Sequence, residues 1–197
     1  MTEAQTGSAF GLCRRWEHNY RGEEAGLKSE VRPDTLLDTP KQLAKGEKMM
    51  NILVIYHSQH LGNTKEIAEA LADGAREAGA DVEKINTNER RVTLDELMNA
   101  DAIAIGTPDY YGYLAGTIKT FFDDLYLWDK AGKAVTGKPA ALFYSHGGGG
   151  TVRQSLEKFA NRYFKQVGET IERGPSDAGE AKEKCRALGR HLAQKTV

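Results

Sequence analysis

Three short, unbroken apolar runs constrain this chain more than any other feature: residues 52–56 (ILVIY), 102–105 (AIAI) and 140–144 (AALFY). Runs of four or five apolar residues between polar segments read as strands buried on both faces, as in a parallel sheet. Amphipathic stretches separate them. Ile67, Leu71 and Ala75 make one helical stripe, which Gly79 ends. Ile118, Phe121, Phe122 and Leu125 make another, Val152, Leu156, Phe159 and Tyr163 a third, and Ala181, Cys185, Leu188 and Leu192 the last. Thr93-Leu94-Asp95-Glu96 has the form of a capping box opening a short helix through Met98, and Asn63-Thr64-Lys65-Glu66 looks like another helix start. Weaker strands fit residues 81–86, edge-ward, and the neighbourhood of 167–171. Five strands alternating with five helices through short connections give an α/β fold, a doubly wound parallel sheet with helices on both faces.

Residues 1–49 read differently. They are polar, interrupted by Pro33 and Pro40, and carry eight basic and eight acidic side chains. A draped tail, a dimer-wrapping or partner-binding arm, and an upstream extension of a chain whose working start is Met49 or Met50 all fit this N-terminal extension. The regular domain spans 50–197. The whole chain of 197 residues has 27 basic and 28 acidic side chains, which gives no electrostatic case for nucleic acid. Cys13 and Cys185 stand in no paired motif, which argues against a disulfide scaffold, a zinc cluster or a cysteine-held iron–sulfur centre. Cys185 falls on an apolar stripe and reads as core. No apolar run approaches the roughly 20 residues of a membrane helix, and no signal-peptide core is seen, so a cytoplasmic protein is expected, with no metal.

In an open parallel sheet, ligands bind beyond the carboxyl ends of the strands, where strand order reverses. Each of the three strong strands ends there in an unusual loop. The first holds Ser58, Gln59, His60, Leu61, Gly62, Asn63 and Thr64. Its hydroxyls, its glycine and the amides of a helix N-terminus suit a phosphate without a basic side chain, although an ordinary capped helix would look similar. It lacks the spacing of a Walker motif. The second holds Thr107, Pro108, Asp109, Tyr110, Tyr111, Gly112 and Tyr113, walls of the kind a planar aromatic ligand needs. Any one of these tyrosines serves equally well to cover a helix end. The third, Ser145-His146-Gly147-Gly148-Gly149-Gly150-Thr151, places four successive glycines where a ligand could meet bare backbone. His146 is the candidate catalytic residue, a donor to the electron-rich edge of a reduced ring; an idle surface histidine is the alternative. A phosphoacceptor receiver, a dinucleotide fold and a hydrolase elbow each lack their required residues here.

From Met50 onward the chain resembles the flavodoxin-like family. The middle loop is similar to the tryptophan-repressor-binding-protein type of NAD(P)H:quinone oxidoreductase, through Gly106-Thr107-Pro108, Gly112, Gly116, Lys119, Phe121, Asp123, Leu127-Trp128 and Gly137-Lys138. The resemblance implies strand order 2-1-3-4-5 and flavin mononucleotide (FMN) as cofactor. It places the phosphate on Ser58, Gly62, Asn63 and Thr64, and the ring against residues 107–113 and 145–150, with Trp128 near the flavin. Two departures stand out. The first loop is one residue longer than the usual S-x-T-G-x-T, and the segment after the glycine run is shorter than in the quinone reductases, closer to a short-chain flavodoxin. Three functions follow as expectations: an enzyme passing a hydride from NAD(P)H through FMN to a quinone or similar small acceptor, a one-electron carrier between redox proteins, and a non-catalytic interaction protein. A homo-oligomer is compatible with each.

Overall fold

The computed structural model describes residues 49–194. The reading of residues 1–49 as an extension therefore lies outside the described residues, except for Met49. The elements run β1 (Asn51–Tyr56), α1 (Asn63–Glu77), β2 (Asp81–Asn86), α2 (Leu94–Asn99), β3 (Ala102–Tyr110), β4 (Tyr113–Leu114), α3 (Gly116–Lys130), β5 (Pro139–Ser145), α4 (Val152–Tyr163), β6 (Lys165–Gln166), β7 (Ile171–Arg173) and α5 (Ala178–Gln194). The sheet order is β2-β1-β3-β5-β6, with β7 also on β5. All these pairings are parallel. Order reverses between β1 and β3, and the first two of the three unusual loops leave the sheet there.

Side-chain alternation along the strands explains the two layers. Leu53, Ile55, Ile103, Ile105, Leu142 and Tyr144 point to one face, where Leu97 of α2, Ile118 and Phe122 of α3 and Leu156 of α4 cover them. Ile52, Val54, Ala102, Ala104, Ala141 and Phe143 point to the other, against Ile67 and Leu71 of α1 and Leu188 and Leu192 of α5. The alanines on this second face let α1 and α5 lie deep, and the two helices meet through glycines. A Cβ on Gly74 would overlap the Arg186 carbonyl, and one on Gly189 the Leu71 carbonyl. Cys185 is fully buried in this layer, and burial pushes its thiol up to about 12.

Three expectations are corrected. The helix start at Asn63–Glu66 is borne out, but Asn63 is not its capping side chain. Gly62 is the residue that precedes the helix, at φ +72 and without a side-chain cap, so Asn63 already lies within it. The left-handed turn that swings the loop into α1 needs a glycine. Glu66, freed from capping, takes Lys182 at 2.9 Å and Arg173 at 3.4 Å. The capping box at Thr93 and Glu96 does form. Next, β3 does not stop at residue 105; it continues to Tyr110 and folds back through β4 as a hairpin. Finally, the fifth strand position is divided: β6 pairs with Pro139 and Ala140, and β7 with Phe143, Tyr144 and Ser145.

Candidate functional site

The first loop leaves β1 with its backbone already tied down. Asn86 at the end of β2 accepts from the Ser58 amide at 3.0 Å and donates to the Ser58 carbonyl at 3.0 Å. Ser58 Oγ then reaches forward to accept from the Lys65 amide at 3.3 Å, within the first turn of α1. Gly62 itself brings no capping side chain, so apart from the Lys65 amide the first turn of α1 faces the cleft at the positive end of the helix dipole.

The second loop is held by Asp109. One carboxylate oxygen accepts from the Gly112 amide at 2.6 Å, the other from the Val152 amide at the start of α4 at 3.0 Å. Its charge is thus committed to the hairpin and to the third loop. Thr107 is fully buried; its hydroxyl donates to the Pro108 carbonyl at 2.9 Å and accepts from the Ala115 amide at 3.1 Å. Tyr111 and Gly112 form the hairpin turn at φ 55 and 78. Two positive φ values are what a two-residue hairpin of matching twist demands, and a tyrosine in the first place is strained. The Tyr111 side chain is wholly exposed. Tyr110 lies inward, its hydroxyl donating to Gln59 Oε1 at 3.2 Å across to the first loop.

The third loop joins the first through Ser145 Oγ and Thr64 Oγ1, 2.7 Å apart and buried. The His146 amide donates to the Arg173 carbonyl at 3.0 Å, and its Nε2 lies 2.7 Å from Glu172 Oε1. Gly150 packs close to both His146 and Glu172, where a side chain would push them apart. The Glu172 carboxyl is held below the usual carboxylate range, first by the hydroxyl of Tyr144 and then by His146. The Tyr144 phenol is raised in turn by burial and by this bond.

These ties draw the loops around one open cleft. Of the residues expected from sequence, Ser58, His60, Leu61, Gly62, Asn63, Thr64, Pro108, Asp109, Tyr110, Ser145, His146 and Gly147 line it. Thr107, Tyr111, Gly112, Tyr113, Gly148 and Gly149 do not: Thr107 braces the hairpin from within, Tyr111 to Tyr113 form its tip, and the two glycines lie beyond the rim. Trp128 is partly buried against the core near the far end of α3, roughly 18 Å along the helix from Gly116 at 1.5 Å per residue. Among the described residues, no lysine or arginine lines the cleft.

His57 and Gln59 were not singled out from sequence. His57 is buried behind the cleft wall, edge-on to the Tyr110 ring at 5.6 Å between centroids. Thr87 donates to the Tyr56 carbonyl at 3.3 Å and lies 2.7 Å from the Thr117 hydroxyl, which in turn lies 2.8 Å from His57 Nδ1. Burial lowers the His57 pKa, which keeps the ring neutral. Its Nε2 and the Nδ1 of His146 are buried polar atoms without a hydrogen-bond partner. Such atoms are costly to leave unpaired. Two of them beside one cleft mark it as built to receive hydrogen-bonding groups. The only sequence signal for either was a histidine beside a strand end.

Comparison with known proteins matches this geometry to a family. Residues 54–189 fit the family model described as Flavodoxin. A protein named "Flavodoxin" from Aquifex aeolicus (strain VF5) is 36% identical over 165 residues, covering 74% of this chain and 86% of that one. A Geobacter sulfurreducens protein named "NAD(P)H dehydrogenase (quinone)" is 35% identical over 127 residues, covering 50% of this chain. The match takes in 61% of that relative's own length, less than two thirds of it. Among solved structures, a flavodoxin from the domain Archaea superposes with a TM-score of 0.63 at 29% identity, covering 75% of this chain and 99% of that one.

Proposed function

Because this chain belongs to the flavodoxin family, we propose that the cleft holds FMN and that the protein is a flavin redox protein. The observation that carries the reading is the convergence of three loops, one of them leading into the N-terminus of α1, on a single cleft. The amides of the α1 first turn and the hydroxyls of Ser58 and Thr64 would hold the phosphate, with His60, Leu61, Gly62 and Asn63 around it. That set suits a dianion without a basic side chain, since helix amides and dipole favour negative charge. Pro108, Asp109 and Tyr110, with Thr107 and Tyr111 to Tyr113 behind them, would form one wall for the ring. Ser145, His146, Gly147, Gly148 and Gly149 would form the other. Bound there, the flavin supplies the capacity to accept a hydride or single electrons. The chain's own part is to orient it, to shield it and to set hydrogen bonds at its edge.

The reaction we favour is NAD(P)H-dependent reduction of quinones or similar small acceptors, supported by the similarity to relatives that bear the quinone dehydrogenase name. FMN-loaded protein is expected to oxidise NAD(P)H when a quinone is supplied, and no turnover with any quinone would remove this reading. A second reading, a one-electron carrier between redox proteins, is favoured by length. The chain covers 86% of the Aquifex flavodoxin but 61% to 64% of the quinone dehydrogenases. The carrier predicts fast reduction of a one-electron acceptor by pre-reduced protein together with inertness toward NAD(P)H.

A further inference from the structure

We infer that Glu172 is a positioning residue that makes His146 a hydrogen-bond acceptor toward the ligand, so that this wall of the cleft reads an N–H or O–H donor. The inference rests on the FMN reading for the identity of that ligand, but its geometry stands on the protein alone. Glu172 sits on β7, opposite Tyr144 of β5 in the parallel register. The break between β6 and β7 is what delivers a carboxylate to this height beside the third loop. Tyr144 is buried beside it, and its hydroxyl helps to hold the Glu172 carboxyl below the usual carboxylate range. His146 stacks over Tyr144, with ring centroids 6.0 Å apart and 29° between planes.

An ionised carboxylate has only acceptor capacity, so the nitrogen 2.7 Å from it must carry a hydrogen. That nitrogen is Nε2. In the neutral ring the lone pair then belongs to Nδ1, which has no partner among the described residues. Nδ1 is therefore the one ring nitrogen left to meet a ligand, and it meets it as an acceptor. This reverses the expectation from sequence that His146 donates to an electron-rich edge. Nδ1 is itself buried, so the glycine run is the part that must yield. Positions Gly147 and Gly148 have no neighbouring atoms where side chains would project, so the loop has room to move. In FMN, hydroxyls of the ribityl chain and the ring imide N–H are donors of the required kind.

The test uses the full chain with 15N-labelled histidine, and His146→Asn identifies the resonances of residue 146. In the ligand-free protein at alkaline pH, where the measured ring is neutral, His146 is expected to show a protonated Nε2 and an unprotonated Nδ1. The tautomer preference should be at least about tenfold, the ratio a hydrogen bond to a charged group supports. Glu172→Ala should abolish the preference. Glu172→Gln should retain it, because the amide oxygen still accepts; this second variant also separates positioning from any loosening of the loop. A protonated Nδ1 in the native protein, or an alanine variant with unchanged ring shifts, overturns the inference. Adding FMN should then move the Nδ1 resonance in the direction of an accepted hydrogen bond. FMN that binds without moving Nδ1 overturns this inference alone. FMN that does not bind overturns the proposed function, and with it the assignment of the ligand.

Discussion

Helix α1 takes part in two regions built on opposite principles. Its middle turn forms the seam with α5, where Gly74 and Gly189 bring two backbones into contact. Carboxylates of α1 grip the flank of α5: Glu77 bonds Arg186 at 2.8 Å and Arg190 at 2.6 Å, and Glu66 bonds Lys182. Its first turn, by contrast, opens on a cleft beside which two histidine nitrogens lack partners among the described residues. Close backbone packing dominates the seam, although Arg186 Nε there also lacks a partner, whereas at the cleft the unpaired histidine nitrogens cost stability that a ligand can restore. The same helix thus anchors the sheet at one place and offers binding capacity at the other.

Substitutions that confuse the two regions should break this contrast in graded ways. Gly189→Val should have the largest effect, because its side chain would enter the space of the Leu71 carbonyl. A loss of about 3 kcal/mol in urea unfolding is expected for overpacking of this kind. A loss within error would mean the seam is loose. Asp109→Ala should cost about 2 kcal/mol, since two amides lose a charged acceptor. It should also raise hydrogen exchange at Gly112 and Val152 while leaving α5 protected. Equal loosening of α5 would show that the two regions are one cooperative unit.

Glu66→Gln should cost only about 0.5 kcal/mol at neutral pH, because its carboxylate is more than a third exposed and solvent screens the pair. The Lys182 bond first, and Arg173 beyond it, hold the Glu66 carboxyl below its ordinary value. A depressed carboxyl contributes stability above its unfolded value near 4.5, and that contribution fades as pH falls through the folded value. The gap between variant and native protein should therefore close in acid; a gap that persisted there would point to packing instead. Smallest of all, Tyr111→Asn should raise stability by about 0.5 kcal/mol, since an Asn-Gly turn tolerates the positive φ better and no buried contact is lost. A destabilised variant would mean that Tyr111 has a partner beyond its own turn.

Most of the architecture was legible because strand burial and helical stripes are local patterns. The runs at 52–56, 102–105 and 140–144 became β1, β3 and β5, and Asp81–Asn86 became the edge strand. What misled was local pattern competing with tertiary demand. Asn63 and Glu66 have the letters of a capping box, but the turn required glycine one place earlier, and α5 supplied cations for Glu66. The extension of β3 depends on Asp109 finding the amide of Val152, 43 residues away. In the cleft, the gathering of residues from three loops followed from the rule of strand carboxyl ends. The roles of His57 and Glu172 did not, since an unpaired nitrogen exists only once the surrounding donors and acceptors are placed. Glu172 in particular reaches its position through a break in the fifth strand that no sequence signal announced.

The account depends on one cleft shared by three loops, and backbone NMR during an FMN titration tests it most directly. The amides of Ser58 to Thr64, of Asp109 and Tyr110, and of Ser145 to Gly147 should shift together along one saturation curve, while those of Gly74 and Gly189 stay still. Shifts confined to one loop, spread over the α1–α5 seam, or absent throughout would contradict it.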